Sequence, residues 1–320
     1  MVEIAFQNCF IGYEIETRTG GGEGNWCILL LTINGSYQFF IQTYLRYFIK
    51  EWIGNIYQSM TNRTMEGKDK RFIEEMNAIE VRKMINEKTI VIMVLGACEN
   101  HGDHMPFGSD FIFPTEIAKR VATKVSNVIV LPAIPYGVSM HHNKFQMTMS
   151  FNPETMIGII SDILSSLDHN KIRRVLIING HDGNIGPIEI AARTMKNKNP
   201  EMIIACLESW WVLVGQLKKD LFEIWNGLGH GGEAETSAVL AVRPDLVNLE
   251  SAPEEAIPKL PENIRIFWKF DELTSTGATG SPQKATIRKG NEILQLLEDV
   301  LISFIKEMES TDWKYGIYLK

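Results

Sequence analysis

The 320-residue chain lacks several features that define large protein classes. Its four cysteines are scattered and form no Cys-x-x-Cys pair, so a disulfide framework or a zinc ribbon is not expected and a reducing, cytoplasmic setting is favoured. There is no basic excess: 32 Lys and Arg against 39 Asp and Glu give a net charge of −7. This balance argues against a nucleic-acid partner. No signal-peptide pattern occurs, and the apolar runs are too short to cross a bilayer.

What is present is the composition of a globular protein, 45% hydrophobic and 22% charged, which changes character near residue 70. We predict an N-terminal extension over residues 1–70 and a catalytic domain over 71–320. Apolar residues recur at helical spacing between residues 41 and 56, which predicts an amphipathic helix. This helix could pack on the domain or on a neighbouring subunit, or lie on a membrane surface, although a membrane partner is not expected. Alternatively, the true translation start is Met60 or Met65, downstream of this segment.

After residue 71, apolar runs alternate with helical stretches. Strands are predicted at residues 89–95, 127–134, 174–179 and 202–207, and helices at 114–125, 153–167, 185–196 and 232–242. This alternation predicts an α/β fold with a mostly parallel sheet covered by helices on both sides. Ligands of such sheets bind beyond the carboxyl ends of the strands, so the residues that follow each strand are the candidates for chemistry.

Histidine and acidic residues follow three of the predicted strands. Glu99, His101 and Asp110 come after the first strand, His181 and Asp182 after the third, and His230, Glu233 and Glu235 after the fourth. These side chains form a ligand set suited to Zn²⁺, Mn²⁺ or Fe²⁺. Individually each segment could be a solvated loop or a helix N-terminus, but their convergence at one sheet edge favours a site. His142, Asp182, Trp210 and Trp211 are candidates for contacts with a substrate.

These segments resemble the motifs of the creatininase (creatinine amidohydrolase) family. Glu99-Asn100-His101-Gly102 with Asp110 resembles E-[QN]-H-G-x-H-x-P-x-G-[ST]-D, Asn179–Asn184 resembles N-G-H-G-G-N, and His230–Ser237 resembles H-A-G-E-x-E-T-S. Residues 135–142 and 277–282 also resemble family segments, in the same order. The resemblance covers the chain from about residue 80 to the C-terminal helix, and residues before about 71 lie outside it.

The resemblance implies a three-layer α/β sandwich and a centre of two divalent ions per subunit (Zn, Mn or Fe), usually in a homo-oligomer and often in a hexamer. Carried over by position, Glu99 and His181 bind one ion, His101 binds the other, and Asp110 bridges them. Creatininase has a further Glu ligand where this chain has Gly183. Glu233 is the expected replacement, with Asp182 as a second choice. His230 matches the catalytic histidine, and Glu235 is expected to orient it.

The predicted reaction is hydrolysis of a C–N bond in a small amide or cyclic amide by a metal-activated water, with His230 protonating the leaving nitrogen. Gly183 argues against creatinine itself as the substrate. Within the family, a formylamino-pyrimidine deformylase of flavin or deazaflavin synthesis is one alternative, and a hydrolase of a cyclic ketone or of a short modified peptide is another. A non-catalytic member that only binds metal or ligand is an alternative of a different class.

Overall fold

The computed structural model describes residues 32–33, 36–37, 70–259, 261, 264 and 266–314. The chain divides into two units, Met1–Lys68 and Asp69–Lys320. In the first unit, β1 (Thr32–Ile33) and β2 (Ser36–Tyr37) pair in an antiparallel hairpin. The amphipathic helix predicted between residues 41 and 56 lies outside the described residues. It therefore stays a prediction, as does the role of the extension.

The second unit alternates helices and strands. In chain order these are α1 (Ala78–Met84), β3 (Ile90–Leu95), α2 (Ser109–Lys124), β4 (Val128–Val130), α3 (Pro153–His169), β5 (Arg174–Asn179), α4 (Ile185–Lys198), β6 (Ile203–Leu207), α5 (Trp210–Leu217), α6 (Glu233–Val242) and α7 (Ile287–Ser310). The last four strands form a parallel sheet of order β4-β3-β5-β6. Leu95 pairs with Asn179, so the carboxyl ends of β3 and β5 lie level at the centre of the sheet.

Alternate residues of the strands belong to two separate cores, because successive side chains point to opposite faces of a sheet. Ile90, Ile92 and Val94 of β3 pack with the buried side chains of α2, α6 and α7. Val91, Met93 and Leu95 pack with those of α3 and α4. The strand β3 is buried on both faces, as its continuous apolar run predicts. The predicted three-layer α/β sandwich with a parallel sheet is confirmed.

Two predicted boundaries are wrong, and one of them affects the site. Helix α2 begins at Ser109 and not at Pro114, which places Asp110 in its first turn and not in a loop. Proline inside a helix lacks the N–H that would bond to the carbonyl four residues earlier. That carbonyl belongs to Asp110, and a Cβ at Gly180 would lie 1.8 Å from its oxygen, so only glycine permits this approach.

The second error concerns β4, which ends at Val130 although the apolar run continues to Ile134. Beyond the strand, Ile134 forms only an isolated bridge to Leu95. Helix α5 was not predicted at all. Within the described residues, no helix combines the length and the apolar character that a membrane span requires.

Candidate metal centre

Six of the predicted ligand and catalytic residues meet at the carboxyl ends of β3 and β5: Glu99, His101, Asp110, His181, His230 and Glu235. Glu99 and His101 follow β3, and His181 follows β5. Asp110 and Glu235 lie in the first turns of α2 and α6. Because helix N-termini favour negative charge, both carboxylates sit where a helix dipole stabilises them.

Asp110 lies between two imidazoles and presents one oxygen to each. Its Oδ1 is 2.9 Å from His101 Nε2, and its Oδ2 is 3.2 Å from His181 Nδ1. All three side chains are buried. The two oxygens of this carboxylate can therefore serve two adjacent ligand positions.

Glu99 is fully buried, with 0% of its surface exposed, and among the described residues neither carboxylate oxygen has a hydrogen-bond partner. Its Oε1 instead faces three imidazole nitrogens, at 3.2 Å from His181 Nδ1, 3.7 Å from His230 Nδ1 and 3.8 Å from His142 Nε2. A buried charge is costly unless it is paired or binds a metal.

Backbone carbonyls hold three of the histidines in defined tautomers. His101 Nδ1 lies 3.1 Å from the carbonyl of Glu99, His181 Nε2 lies 3.0 Å from that of Val138, and His230 Nε2 lies 2.7 Å from that of Asn100. A carbonyl only accepts, so each of these nitrogens donates its proton. The other ring nitrogen is therefore the one that can bind a metal ion, and it must give up any proton it holds when it does so.

The donor set fits a divalent metal ion. Four groups of three side chains could each hold an ion, because the ligand atoms within a group lie within 4.8 Å of one another. Each group contains both imidazole and carboxylate. The groups are Glu99–His101–Asp110, Glu99–His141–His181, Glu99–His142–His230 and His101–His230–Glu235. In the described part of the chain, Glu99 Oε1 and Oε2, Asp110 Oδ2 and both nitrogens of His142 have no hydrogen-bond partner. Such unpartnered buried atoms are explained when they bind an ion.

The acids in this cluster dominate its electrostatics. Burial disfavours the charged form of His101, but the adjacent carboxylate of Asp110 outweighs it and raises the pKa of His101 to about 10. Burial raises the pKa of Glu235 to about 7. Burial, together with the neighbouring His101, lowers the pKa of His230 to about 3, so its imidazole is neutral near pH 7. The cluster therefore attracts positive charge but keeps His230 uncharged.

Glu233, predicted as a metal ligand, lies elsewhere. Its carboxylate accepts hydrogen bonds from the Lys289 ammonium at 2.6 Å and from the backbone N–H groups of Glu223 and Ile224 at 3.2 and 3.4 Å. Among the described residues it belongs to none of the groups that could hold a metal. Glu233 is therefore engaged in a buried ion pair with Lys289 of α7, and Glu235 faces the cluster instead.

The structure also accounts for Gly183, where creatininase has a glutamate. A Cβ at this position would lie 2.0 Å from the carbonyl oxygen of Val138 and 2.6 Å from His181 Nε2. No side chain fits there without moving the loop that orients His181. Asp182 is exposed and lines the cavity beside the cluster.

A cavity of about 300 Å³ opens onto the cluster. Its lining includes Glu99, Asp110, His142, His181, His230 and Glu235, together with apolar side chains, among them Trp211, Trp225, Leu228, Phe270 and Leu273. Trp211 thus lies where a substrate contact was predicted. Trp210 does not: it is buried and packs against Phe113 with ring centroids 4.6 Å apart.

Sequence reasoning missed three residues at this site. His141 shares a possible ligand group with Glu99 and His181, and its pairing with His142 in the sequence was the available signal. Phe270 stacks on His142 at 4.1 Å, and no sequence pattern marked it. His104 is buried, and its Nε2 lies 3.0 Å from the carbonyl of Gly231, beside His230. Burial lowers the pKa of His104 to about 4, which is consistent with a neutral structural histidine.

Comparison with known proteins agrees with this geometry. A family model described as creatinine amidohydrolase matches residues 74–305. The chain belongs to the creatininase family. It is a hydrolase of that family, as the motifs at Glu99, His181 and His230 predict.

Individual relatives differ in what they act on. The chain is 28% identical to a creatinine amidohydrolase of Pseudomonas putida over 74% of this chain and 96% of that protein. It is 23% identical to a mycofactocin precursor peptide peptidase of Mycobacterium tuberculosis, over 71% and 88% of the two chains. A 3-dehydro-scyllo-inosose hydrolase of Thermotoga maritima is 27% identical over 60% and 62%.

Solved structures agree on the fold. A crystal structure of creatininase superposes with a TM-score of 0.65 at 27% identity, covering 74% of this chain and 97% of that one. A structure titled as a manganese form of creatininase superposes with a TM-score of 0.64 at 27% identity, covering 74% of this chain and 98% of that one. A mutant creatininase titled as a Zn-Zn type superposes with a TM-score of 0.63 at 28% identity, covering 74% and 97%. These structures and the ligand set of this chain together support a divalent metal.

Proposed function

We propose that this chain hydrolyses a C–N bond of a small amide or cyclic amide at a centre of two divalent metal ions. The observation that carries the proposal is the position of Asp110, whose two oxygens each face a different histidine. These side chains would hold divalent ions, and such ions would supply the charge that polarises a scissile carbonyl and lowers the pKa of a water.

The arrangement around Asp110 supports two ligand sets. Glu99 and His181 lie on the side of Asp110 Oδ2, with His141 in the same group of ligand atoms. His101 lies on the side of Oδ1, and Glu235 shares a group with it. We assign Glu235, and not Glu233, as the acid that replaces the glutamate absent at Gly183. Zn²⁺, Mn²⁺ and Fe²⁺ all suit these ligands.

We assign proton transfer to His230. Its side chain lines the cavity and is more accessible than those of His101 and His181. Its Nε2–H donates a hydrogen bond to the backbone carbonyl of Asn100. The lowered pKa makes it a neutral base at the start of the reaction. Its Nδ1 accepts a proton from the attacking water and then donates it to the leaving nitrogen as the C–N bond breaks. The products are a carboxylate and an amine.

The cavity favours a small neutral or cationic substrate. Its volume of about 300 Å³ lies at the lower end of the range for small-molecule sites. In the described part of the chain, the lining contains acids and histidines but neither Lys nor Arg. An anionic group would therefore find no Lys or Arg among the described lining residues. Trp211 and Phe270 supply apolar walls, and Asp182 and His142 supply polar contacts.

The proposal extends to location and assembly. The free thiols of Cys98 and Cys206 are compatible with a reducing cytoplasm. A homo-oligomer, with the hexamer as its expected form, is carried over from the family resemblance. The deformylase and peptidase alternatives share the same metal centre and differ only in what the cavity accepts.

Metal analysis and a substrate panel test the proposal. Purified protein is analysed for Zn, Mn and Fe, reconstituted with each ion, and assayed on cyclic amides, linear small amides, formylamino-pyrimidines and short peptides. We expect bound divalent metal and hydrolysis of a small amide. Asp110→Asn should retain the fold by circular dichroism and lose nearly all turnover, because the ligand shared by both positions is gone.

Exposed Asp245, in a surface pair with Arg243, provides the control. Asp245→Asn should leave metal content and turnover unchanged. Full activity in Asp110→Asn would refute the bridging role. Bound metal without hydrolysis of any panel member would favour the non-catalytic alternative, and the absence of both metal and hydrolysis after reconstitution would refute the proposed function.

A further inference from the structure

A second, much smaller cavity lies behind the metal centre. Its volume is about 10 Å³, and its lining includes Ser109, Asp110, Phe113, Trp210, Glu235 and Val239. We propose that one buried water molecule occupies this cavity and that Trp210 acts through it as a positioning residue for the carboxylates of Asp110 and Glu235. The positioning role rests on the proposed metal centre, whereas the water does not.

The Trp210 indole is buried without a partner for its N–H among the described residues. Only 3% of this residue is exposed, and the unpartnered atom is Nε1. An unsatisfied buried donor costs about 1–3 kcal/mol, so buried N–H groups in native proteins are nearly always paired. A partner is therefore expected in the space that this side chain lines.

The small cavity has the size and the polar lining that one water molecule needs. A cavity needs roughly 10–15 Å³ of probe-occupied volume to hold one water, and the water needs two to four polar partners. The volume of about 10 Å³ meets the lower bound. The indole Nε1–H can donate to the water, and the water can donate its two hydrogens to the two carboxylates. The one donor and the two carboxylates then give this water three polar partners, which is within the required range.

The consequence follows from where the two acids act. Asp110 and Glu235 come from different helices, α2 and α6, and Trp210 begins a third, α5. A water bound between them would fix the orientation of both carboxylates relative to His101 and His181. Outer partners of this kind orient metal ligands, and losing one typically costs about 10–100-fold in metal affinity or activity.

Trp313 offers a matched control. It is also buried, with 1% exposed, and its Nε1 likewise has no hydrogen-bond partner in the described part of the chain. However, it contacts Arg174 and Phe304, and Arg174 is the first residue of β5, at the end of the sheet opposite to the site. A Trp→Phe change removes the same N–H at either position and keeps an aromatic ring.

The experiment combines a crystal structure with metal titrations of Trp210→Phe and Trp313→Phe. We expect one ordered water within hydrogen-bond distance of Trp210 Nε1 and of at least one of the two carboxylates in the wild-type crystal. Competition with a chelator should show Mn²⁺ and Zn²⁺ affinities about tenfold or more weaker in Trp210→Phe. The same titration of Trp313→Phe should match the wild type, with any loss of thermal stability similar in both variants.

Each outcome decides a separate part of the proposal. An empty cavity, or a direct bond from Nε1 to another group, would overturn the water. Wild-type metal affinity in Trp210→Phe would overturn the positioning role even if the water is present. A wild-type chain that binds no metal would overturn the proposed metal centre and with it the positioning role, while the water would still be judged by the crystal structure. A chain that binds metal but hydrolyses nothing would leave both parts standing.

Discussion

Two buried acids, Glu233 in the first turn of α6 and Glu99 after β3, show opposite ways of placing a carboxylate inside a protein. Glu233 and Glu99 are both 0% exposed. Glu233 accepts hydrogen bonds from the Lys289 ammonium and from two backbone N–H groups. Within the described residues, Glu99 has no hydrogen-bond partner for either oxygen and faces three imidazole nitrogens instead.

The difference identifies which acid is structural and which is available for a ligand. Burial of a carboxylate is costly, and a paired ammonium with backbone donors offsets that cost within the chain itself. Glu99 has no such donors among the described residues, so its charge is stabilised by the imidazoles that it faces, His181 foremost, and remains open to a bound cation. A buried acid with its own lysine is therefore a poor candidate for a metal ligand, however well it matches a motif.

The largest expected effect separates the two acids by metal affinity. Glu99→Gln should weaken Mn²⁺ and Zn²⁺ binding by more than the 10–100-fold that loss of an outer partner costs, because a direct ligand charge is removed. Glu233→Gln should bind both ions nearly as the wild type does. Titration calorimetry on the two variants measures this, and equal losses would mean that Glu233 takes part in the metal site.

The next effect concerns the free energy of unfolding, and here the change is expected at Glu233. Lys289→Met leaves Glu233 buried without its cation, and breaking a buried pair in this way typically costs about 3–5 kcal/mol. Urea unfolding in the presence of a chelator should show this loss in the free energy of unfolding. The double variant Lys289→Met/Glu233→Gln should recover part of it, because no uncompensated charge remains.

An exposed ion pair serves as the reference for that measurement. Arg243 and Asp245 are 48% and 59% exposed, and pairs of this kind contribute roughly 0–1 kcal/mol. Arg243→Met should therefore change the free energy of unfolding little. If Lys289→Met also costs less than about 1 kcal/mol, the ion pair does not stabilise Glu233 as inferred here.

The contrast between acids also explains how far the sequence alone could lead. The apolar runs of β3 and β5 predict buried parallel strands, and the residues after them predict Glu99, His101 and His181 at one edge. Glu233 and Glu235 are two residues apart, or about 200° around a helix, so only one of them can face the site. The choice depends on Lys289, which is 56 residues away in sequence and contacts Glu233 only in the fold.

The start of α2 escaped prediction for a related reason. Pro114 normally marks a first turn, and the glycine that accommodates the free carbonyl of Asp110 lies on another strand end, at Gly180. Helix α5 and the position of Trp210 depend equally on packing against Phe113. Local patterns therefore located the candidate ligands, whereas the side chains that pair with or support them come from distant segments.

The smallest effect is the increase in the free energy of unfolding that bound metal causes, compared between variants at Glu99 and at the Glu233–Lys289 pair. Metal at about 100 times its dissociation constant should raise the free energy of unfolding by about 2.7 kcal/mol, provided that only the folded chain binds it. The wild type should show this increment and Glu99→Gln should not. Lys289→Met should show the same increment as the wild type, although it starts from lower stability, because its ion pair shares no atoms with the metal centre and distant effects add. A smaller increment in Lys289→Met would mean that the ion pair and the metal centre are coupled through α6, and that Glu233 supports metal binding through Glu235.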